Sequence, residues 1–424
     1  MDNIDRELTN KLSEARTAAK NLAVIPSETK DDALRNLANA LEKHSEVIKK
    51  ANNEDIAKAR SGNREEHFIS RLTITKDTLH SMSSGVLNVA SLPDPIGQTV
   101  GMQTLPNGLS AGRVRVPLGV IGVIYESRPN VTIDISALCI KSGNAVVLRG
   151  GTEATNSNQT LAKIAQQSFH EAGLPDNTVQ IIESTDRSIV RDMLTAKGQI
   201  DLLVPRGGAD LINLISEKAR VPAITGGVGV CHTYVDASAD MDMAVNIVHN
   251  AKTSNPSVCN ALDTVIIHSS IAKPFLSQLS ERWSLSNVKM KCDNRALNIL
   301  GPIKYSNAER ASDEDWDIEH LSLTIGVKIV DSLNEALAHI EHHGSGHSEA
   351  IISENYSSTR RFLSEVDASA VFINTSTRFN DGGQLGLGAE VAISTNKLHA
   401  RGPMGLVELT SYKWTVLGTG QIRE

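Results

Sequence analysis

The stretch Lys252-Thr253-Ser254-Asn255-Pro256-Ser257-Val258-Cys259-Asn260-Ala261 offers the most reactive chemistry in the chain. A cysteine follows a proline-punctuated loop, and an apolar run (Val265, Ile266, Ile267) comes after it. Pro256 disfavours helix at Asn255 and forces a turn, which predicts a Cys259 projected into a cleft. The thiolate is the nucleophilic form of cysteine, and a helix N-terminus or a nearby cation favours it. Against this stands the bland reading: a cysteine is among the most commonly buried residues and is usually inert. The surrounding residues must decide.

Three further loops carry glycine pairs: Arg149-Gly150-Gly151, Arg206-Gly207-Gly208 and Gly226-Gly227-Val228-Gly229. None is the G-x-G-x-x-G dinucleotide fingerprint, and none is a P-loop. Paired glycines alone often mark only tight turns. Glycine also lets backbone N–H groups approach an anion, and arginine binds phosphate through two parallel donors. Arg149, Gly150, Gly151, Arg206, Gly207, Gly208, Gly226 and Gly227 are therefore expected to hold a dinucleotide phosphate in an atypical site. The histidines His339, His342, His343 and His347 cluster, but they lack the HExxH spacing and Gly344 and Gly346 break any shared helix. No metal site is expected.

These loops fall between short apolar runs that alternate with helical patterns. Gly119 to Tyr125, Ala145 to Leu148, Val179 to Ile182, Leu202 to Val204 and Val221 to Ile224 read as strands. The intervening segments read as helices, which predicts a doubly wound parallel sheet. Ligands bind such sheets beyond the carboxyl ends of the strands. A second α/β region runs from Thr264 to Asn374. Ahead of both lies an amphipathic helical layer, with a helix from Ser27 to about Lys50, a polar stretch from 51 to 63, and another helix from Lys76. Lys141 and Glu153 are expected to be solvated. Asn107-Gly108 between extended runs predicts a hairpin over Val100 to Val116. The strand-like tail from Val407 to Leu417 is expected to pair with that ribbon in another subunit.

The chain has 424 residues and a formal charge of −7, which argues against a general nucleic-acid surface. No stretch is long and apolar enough to span a bilayer, and Met1 to Glu7 is polar, so neither a membrane nor a signal peptide is expected. Four widely spaced cysteines without a CxxC pair fit a reducing cytoplasm.

Several longer motifs run along the chain: Val116-Pro117-Leu118-Gly119-Val120-Ile121-Gly122, Tyr125-Glu126-Ser127-Arg128-Pro129-Asn130-Val131-Thr132, Leu148-Arg149-Gly150-Gly151 and Val204-Pro205-Arg206-Gly207-Gly208. Pro256-Ser257-Val258-Cys259-Asn260, Gly344-Ser345-Gly346-His347-Ser348-Glu349-Ala350-Ile351, Ser376-Thr377-Arg378-Phe379 and the segment from Leu398 to Leu406 follow. In these motifs and their order the chain resembles, from about Val116 to Arg423, the gamma-glutamyl phosphate reductases (glutamate-5-semialdehyde dehydrogenases), a family of the aldehyde dehydrogenase superfamily. Asn255 departs from the arginine expected there.

The resemblance implies an aldehyde dehydrogenase-like α/β fold, with two doubly wound domains and a β-ribbon for oligomerisation. Residues 1–98 and 117–225 would bind NADP, 226–384 would carry the nucleophile, and 99–116 with 405–424 would form the ribbon and tail. It implies NADPH-dependent reduction of L-glutamate 5-phosphate to L-glutamate 5-semialdehyde and phosphate, in proline biosynthesis. Cys259 would be the nucleophile and Asn130 an oxyanion donor, with Arg378, Ser376 and Thr377 on the substrate. A homo-oligomer, dimer or tetramer, is implied, and association with a glutamate 5-kinase is raised by the same likeness. Two rival readings stand beside this one: a hydrolytic NAD(P)-dependent aldehyde dehydrogenase, and a silent scaffold. Hydrolytic members place a glutamate two positions before a Gly-Gly pair. Here Ile224 takes that place ahead of Gly226-Gly227, and an aliphatic side chain cannot activate water.

Overall fold

The structure, a computed structural model, describes residues 2–224, 226 and 228–423. The chain divides into two compact units, 1–225 with 386–392 and 404–424, and 226–385 with 393–403.

The first unit opens with five helices: α1 (Asp2–Leu22), α2 (Ser27–Lys43), α3 (Ser45–Ser61), α4 (Glu66–Leu72) and α5 (Lys76–Ser91). The helix expected from Ser27 to Lys50 breaks at His44, and the stretch expected to be merely polar continues as α3. Its polar residues face inward because they find partners there. Asn52 donates to Leu72 O at 2.9 Å, and Asp55 accepts from Ser157 N and Oγ at 2.8 and 2.7 Å. Satisfied buried polar groups of this kind defeat a reading by polarity alone.

The ribbon strands β1 (Thr99–Thr104) and β2 (Ser110–Pro117) follow, then β3 (Val120–Tyr125), α6 (Val131–Lys141), β4 (Ala145–Gly150) and α7 (Thr155–Glu171). Next come β5 (Val179–Ile181), α8 (Ser188–Thr195), β6 (Leu202–Arg206) and α9 (Ala209–Lys218). Four of these strands form a parallel sheet in the order β5-β4-β3-β6. Its strands are buried except at the carboxyl ends of β4 and β6, so they read as nearly continuous apolar runs. Leu8, Leu12, Ala15 and Ala19 of α1 pack in one core with Val120, Ile124 and Val147 of the sheet. The strand expected at Val221–Ile224 is reduced to a single bridge between Leu203 and Ala223.

Lys141 is buried rather than solvated. Its Nζ pairs with Asp31 and donates to Ala90 O at 2.8 Å, while Lys30 Nζ donates to Lys141 O at 3.1 Å. Both ammonium groups are buried against partners from distant helices, which compensates their desolvation.

In the second unit β7 (His232–Val235), α10 (Met241–Thr253), β8 (Thr264–His268), α11 (Ser269–Ser286), β9 (Lys289–Cys292) and α12 (Asn294–Ile303) come first. β10 (Ala308–Arg310), β11 (Thr324–Val330), α13 (Leu333–His343), β12 (Ser348–Ile352), α14 (Tyr356–Glu365) and β13 (Ala370–Ile373) complete its sheet. The seven strands are parallel, in the order β10-β9-β11-β8-β7-β12-β13. Val265, Ile267, Val327 and Ile329 meet Phe275, Leu276, Leu279 and Trp283 of α11 in its main core. The short strands β14 (Ile393–Ser394) and β15 (Gly402–Pro403) form a separate antiparallel pair.

The last strand, β16 (Thr410–Leu417), pairs antiparallel with β2 of the same chain, from Thr410↔Pro117 to Leu417↔Ser110. The tail expected to reach another subunit's ribbon therefore completes its own, as a sheet in the order β1-β2-β16. Tyr412, Trp414 and Val416 remain exposed along it, and the Arg113 guanidinium lies 4.6 Å from the centre of the Tyr412 ring.

Candidate active site

Cys259 sits in a turn at the amino edge of the second sheet, after α10 has ended at Thr253 and ahead of β8. All four cysteines are thiols, and Cys259 is the one among them that is partly exposed. Burial pushes the Cys139, Cys231 and Cys292 thiols up, so those three stay protonated at neutral pH.

The backbone beneath Cys259 is held from two sides. Gly229 passes so close that a Cβ built there would lie 1.7 Å from the Cys259 carbonyl oxygen. The Cys231 thiol donates to that same oxygen at 3.1 Å. On the other side Thr377 Oγ1 donates to Asn260 O at 2.8 Å, and Asn260 Nδ2 donates to Asn380 O at 3.0 Å. Asn380 Nδ2 in turn donates to Ser348 Oγ at 2.9 Å. Arg378 Nε reaches Ser254 Oγ at 3.3 Å, and Ser376 Oγ accepts from Arg378 N at 3.4 Å. The structure thus brings Thr377 and Arg378 against the loop that carries Cys259, with Ser376 bonded within its own turn. The two hydroxyls are spent on backbone groups.

Sequence reasoning missed Gly229, Cys231, Asn260, Asn380 and Glu319 as parts of this arrangement. Glu319 accepts from Gly229 N–H. Burial and the charge of Asp263 nevertheless push its carboxyl up to about 7. Gly229, Cys231 and Asn260 carry only the signal of adjacency, to the glycine-rich loop or to the cysteine, while Glu319 and Asn380 lie far along the chain and carry none. A substitution follows directly. Gly229→Ala must displace the Cys259 backbone, so kcat/KM is expected to fall roughly 100-fold, while overpacking costs about 1–3 kcal/mol of stability. Steady-state rates beside a thermal melt check this; wild-type kcat/KM would refute the close packing as a constraint.

In the first unit, the loops after β3, β4 and β6 lie at the carboxyl edge of the sheet. The strand order reverses between β3 and β6, the position where open α/β sheets bind ligands. Asn130 immediately precedes α6 without capping it through its side chain, and its Nδ2 donates to Asp134 Oδ2 at 2.8 Å. Removal from water pushes the Asp134 carboxyl up to about 6, against the opposing pull of Asn130 and of the Arg206 charge. Ser127 adopts φ +46°, a conformation costly for a residue with a Cβ. Glu153 holds it there, accepting from Ser127 N at 2.7 Å and Ser127 Oγ at 2.8 Å. Glu153 is thus engaged with this loop, where a solvated side chain was expected.

The glycine pairs are crowded. A Cβ at Gly150 would lie 2.1 Å from Asn158 Nδ2, at Gly151 2.3 Å from Glu153 Oε1, and at Gly207 2.5 Å from Glu126 Oε2. Gly208 N–H donates to Glu126 Oε2 at 3.1 Å. Arg149 Nη1 and Nη2 donate to Gly150 O and Thr185 O at 2.6 and 3.3 Å, which leaves Nε buried with no partner. Gly226, in the second unit, approaches Thr395: a Cβ there would lie 2.2 Å from Thr395 Oγ1. Gly227 and Thr225 lie outside the described residues. Beyond β4 and β5 a shallow, open crevice is lined by Gly150, Gly151, Thr152, Glu183, Ser184 and Thr185. The crevice lining is mainly polar.

Residues 4–314 match the model of the aldehyde dehydrogenase family, to which the chain belongs. The enzymes of this family use NAD or NADP. Within it, the chain is 49% identical over 417 residues to gamma-glutamyl phosphate reductase of Dehalococcoides mccartyi, covering 98% of each chain. It is 48% identical to that of Clostridium tetani, covering 100% of both. The crystal structure of gamma-glutamyl phosphate reductase from Thermotoga maritima superposes with a TM-score of 0.95 at 41% identity, covering 99% of this chain and 100% of that one. An acetylating aldehyde dehydrogenase from Geobacillus thermoglucosidasius shares the fold at 18% identity, with a TM-score of 0.71 over 99% and 98% of the two chains. Among the described residues no helix is long and apolar enough to cross a membrane.

Proposed function

We propose that this chain reduces L-glutamate 5-phosphate to L-glutamate 5-semialdehyde and phosphate with NADPH, through a thioester on Cys259. The observation that carries the reading is the setting of Cys259: a partly exposed thiol on a backbone locked by Gly229 and Cys231, in a chain of this family. The Cys259 thiolate attacks the acyl carbon and expels phosphate, leaving the thioester. NADPH, when bound, would supply a hydride to that carbon. The thiohemiacetal so formed collapses to the aldehyde and returns the thiolate. At each tetrahedral stage negative charge collects on oxygen, and Asn130 Nδ2 donates to it. Arg378 holds the substrate's carboxylate or phosphate, since a guanidinium fork fits either. Arg149 and the Gly150-Gly151 and Gly207-Gly208 turns hold the dinucleotide. Work in a reducing cytoplasm suits the exposed thiol. The semialdehyde, phosphate and either NADP⁺ or NAD⁺ are the test, read as formation of reduced nicotinamide. A phosphate-dependent rate, higher with NADP⁺, is expected; no rate with either nucleotide would overturn the reading.

The three-stranded ribbon is proposed as the contact that builds a homo-oligomer, because it exposes Tyr412, Trp414, Val416 and Leu417 together. Deleting β16 would also strip β2 of its partner, so point changes are the cleaner probe. Tyr412→Ser with Trp414→Ser is expected to shift the light-scattering mass toward the monomer without lowering helix content. An unchanged mass would count against the ribbon.

A further inference from the structure

Two carboxylates, Glu153 and Asp134, bear on the loop from Glu126 to Asn130, and a third, Glu126, belongs to it. Glu126 accepts from Gly208 N–H, Glu153 holds Ser127 in its left-handed conformation, and Asp134 accepts from Asn130 Nδ2. The third contact has a chemical consequence. An ionised carboxylate only accepts, whereas the two ends of an asparagine amide differ: NH2 donates and C=O accepts. Asp134 therefore admits one of the two flip states of Asn130. In that state one Nδ2 hydrogen is taken and the other is left in a fixed direction. A neutral partner able to donate and accept would admit both states, and in the flipped one a carbonyl oxygen would replace the donor.

We infer that Asp134 is the positioning residue of Asn130, locking its amide so that the second Nδ2 hydrogen remains a directed donor. This rests on the reading that Asn130 donates to the oxyanion. The simpler role for an acidic residue in the first turn of a helix is to complement the helix dipole. That role would move stability and leave the turnover of folded enzyme alone. Burial pushes the Asp134 carboxyl up to about 6, against the pull of Asn130 and the Arg206 charge, which leaves the ionised form that the lock requires in the majority at neutral pH.

Asp134→Asn keeps the shape and removes the one-sided hydrogen bonding. Together with Asn130→Ala and the double variant it forms a cycle, read as kcat and KM of the full chain in phosphate-dependent semialdehyde oxidation. Asp134→Asn is expected to lower kcat roughly 10–100-fold with KM nearly unchanged, the size of a misplaced catalytic group. In the Asn130→Ala background the same change should alter kcat less than about twofold, because the two residues act as one unit. If Asn130→Ala is costly while Asp134→Asn is silent, or if the two effects multiply, the positioning role is overturned and the donor role of Asn130 stands. If Asn130→Ala is itself silent, the donor role fails and the inference falls with it. Should Asp134→Asn melt early, Asp134→Ser, smaller and uncharged, is read in the same cycle.

Discussion

Cys259→Ala is expected to lower turnover by at least roughly 1,000-fold, because no other group in the account can form the acyl intermediate. The remaining thiols are poor substitutes. Cys139 and Cys292 are fully buried in apolar cores, where burial holds them protonated. Their alanine variants should lose some stability through small cavities and keep near-wild-type rates. Cys231 stands between these cases. Its thiol donates to Cys259 O, so Cys231→Ala removes one weak tether and is expected to cost about fivefold in kcat, a typical net hydrogen bond. Iodoacetamide offers a parallel readout: in the wild type the label should fall on Cys259 and activity should fall with it. Appreciable turnover by Cys259→Ala would refute covalent catalysis at this residue.

Asn130→Ala is expected to lower kcat roughly 10²–10³-fold, the usual loss on removing one oxyanion donor. The loop around Asn130 is arranged at some cost. It tolerates φ +46° at Ser127, and two carboxylates, Glu153 and Asp134, are turned inward onto it. Local strain of this sort persists only where surrounding contacts over-determine it. Asn130 makes no side-chain cap to its own helix. Its loss should therefore leave the helix start intact, and the melting temperature should move by little. A kcat within about threefold of wild type would remove Asn130 from the mechanism.

The parallel strands and the cysteine turn were legible because each is encoded locally. Continuous apolar runs such as Val120 to Tyr125 mark buried parallel strands, and Pro256 marks the turn before Cys259. Asn107-Gly108 likewise announced its hairpin, where Leu105 N donates to Leu109 O at 2.7 Å and Gly108 takes φ +83°. What escaped depends on partners far along the chain. Lys141 reads as a surface residue until Asp31 and Ala90 O, brought by distant helices, surround its ammonium group. Glu153 and Asp134 look like ordinary helix-start acids until the loop before α6 folds back on them. The tail's hydrophobic alternation showed a strand, yet nothing local says which copy of β2 it pairs with. By sequence the glycine loops fit anion binding. Several of those glycines are explained by the nearness of Asn158, Glu126 or Thr395, which leaves no room for a Cβ. The binding of Arg149 to two backbone carbonyls was equally invisible, since one of them lies 36 residues further along.

In the proposed mechanism the acyl group on Cys259 is passed to or from phosphate, and water is not activated against it. At position 224 a buried isoleucine, 1% exposed, whose N–H bonds Leu203 O, stands where hydrolytic relatives would carry a glutamate. The decisive measurement mixes the enzyme with glutamate semialdehyde and NADP⁺, with and without phosphate, and follows NADPH alongside the intact mass of the protein. Without phosphate, one burst of NADPH equal to the enzyme present is predicted, with the acyl mass on the Cys259 peptide. Adding phosphate should discharge that acyl group and start steady turnover. Sustained NADPH formation without phosphate, with release of glutamate, would contradict the account. It would show that another group, the half-buried Glu319 beside Gly229 first among them, activates water.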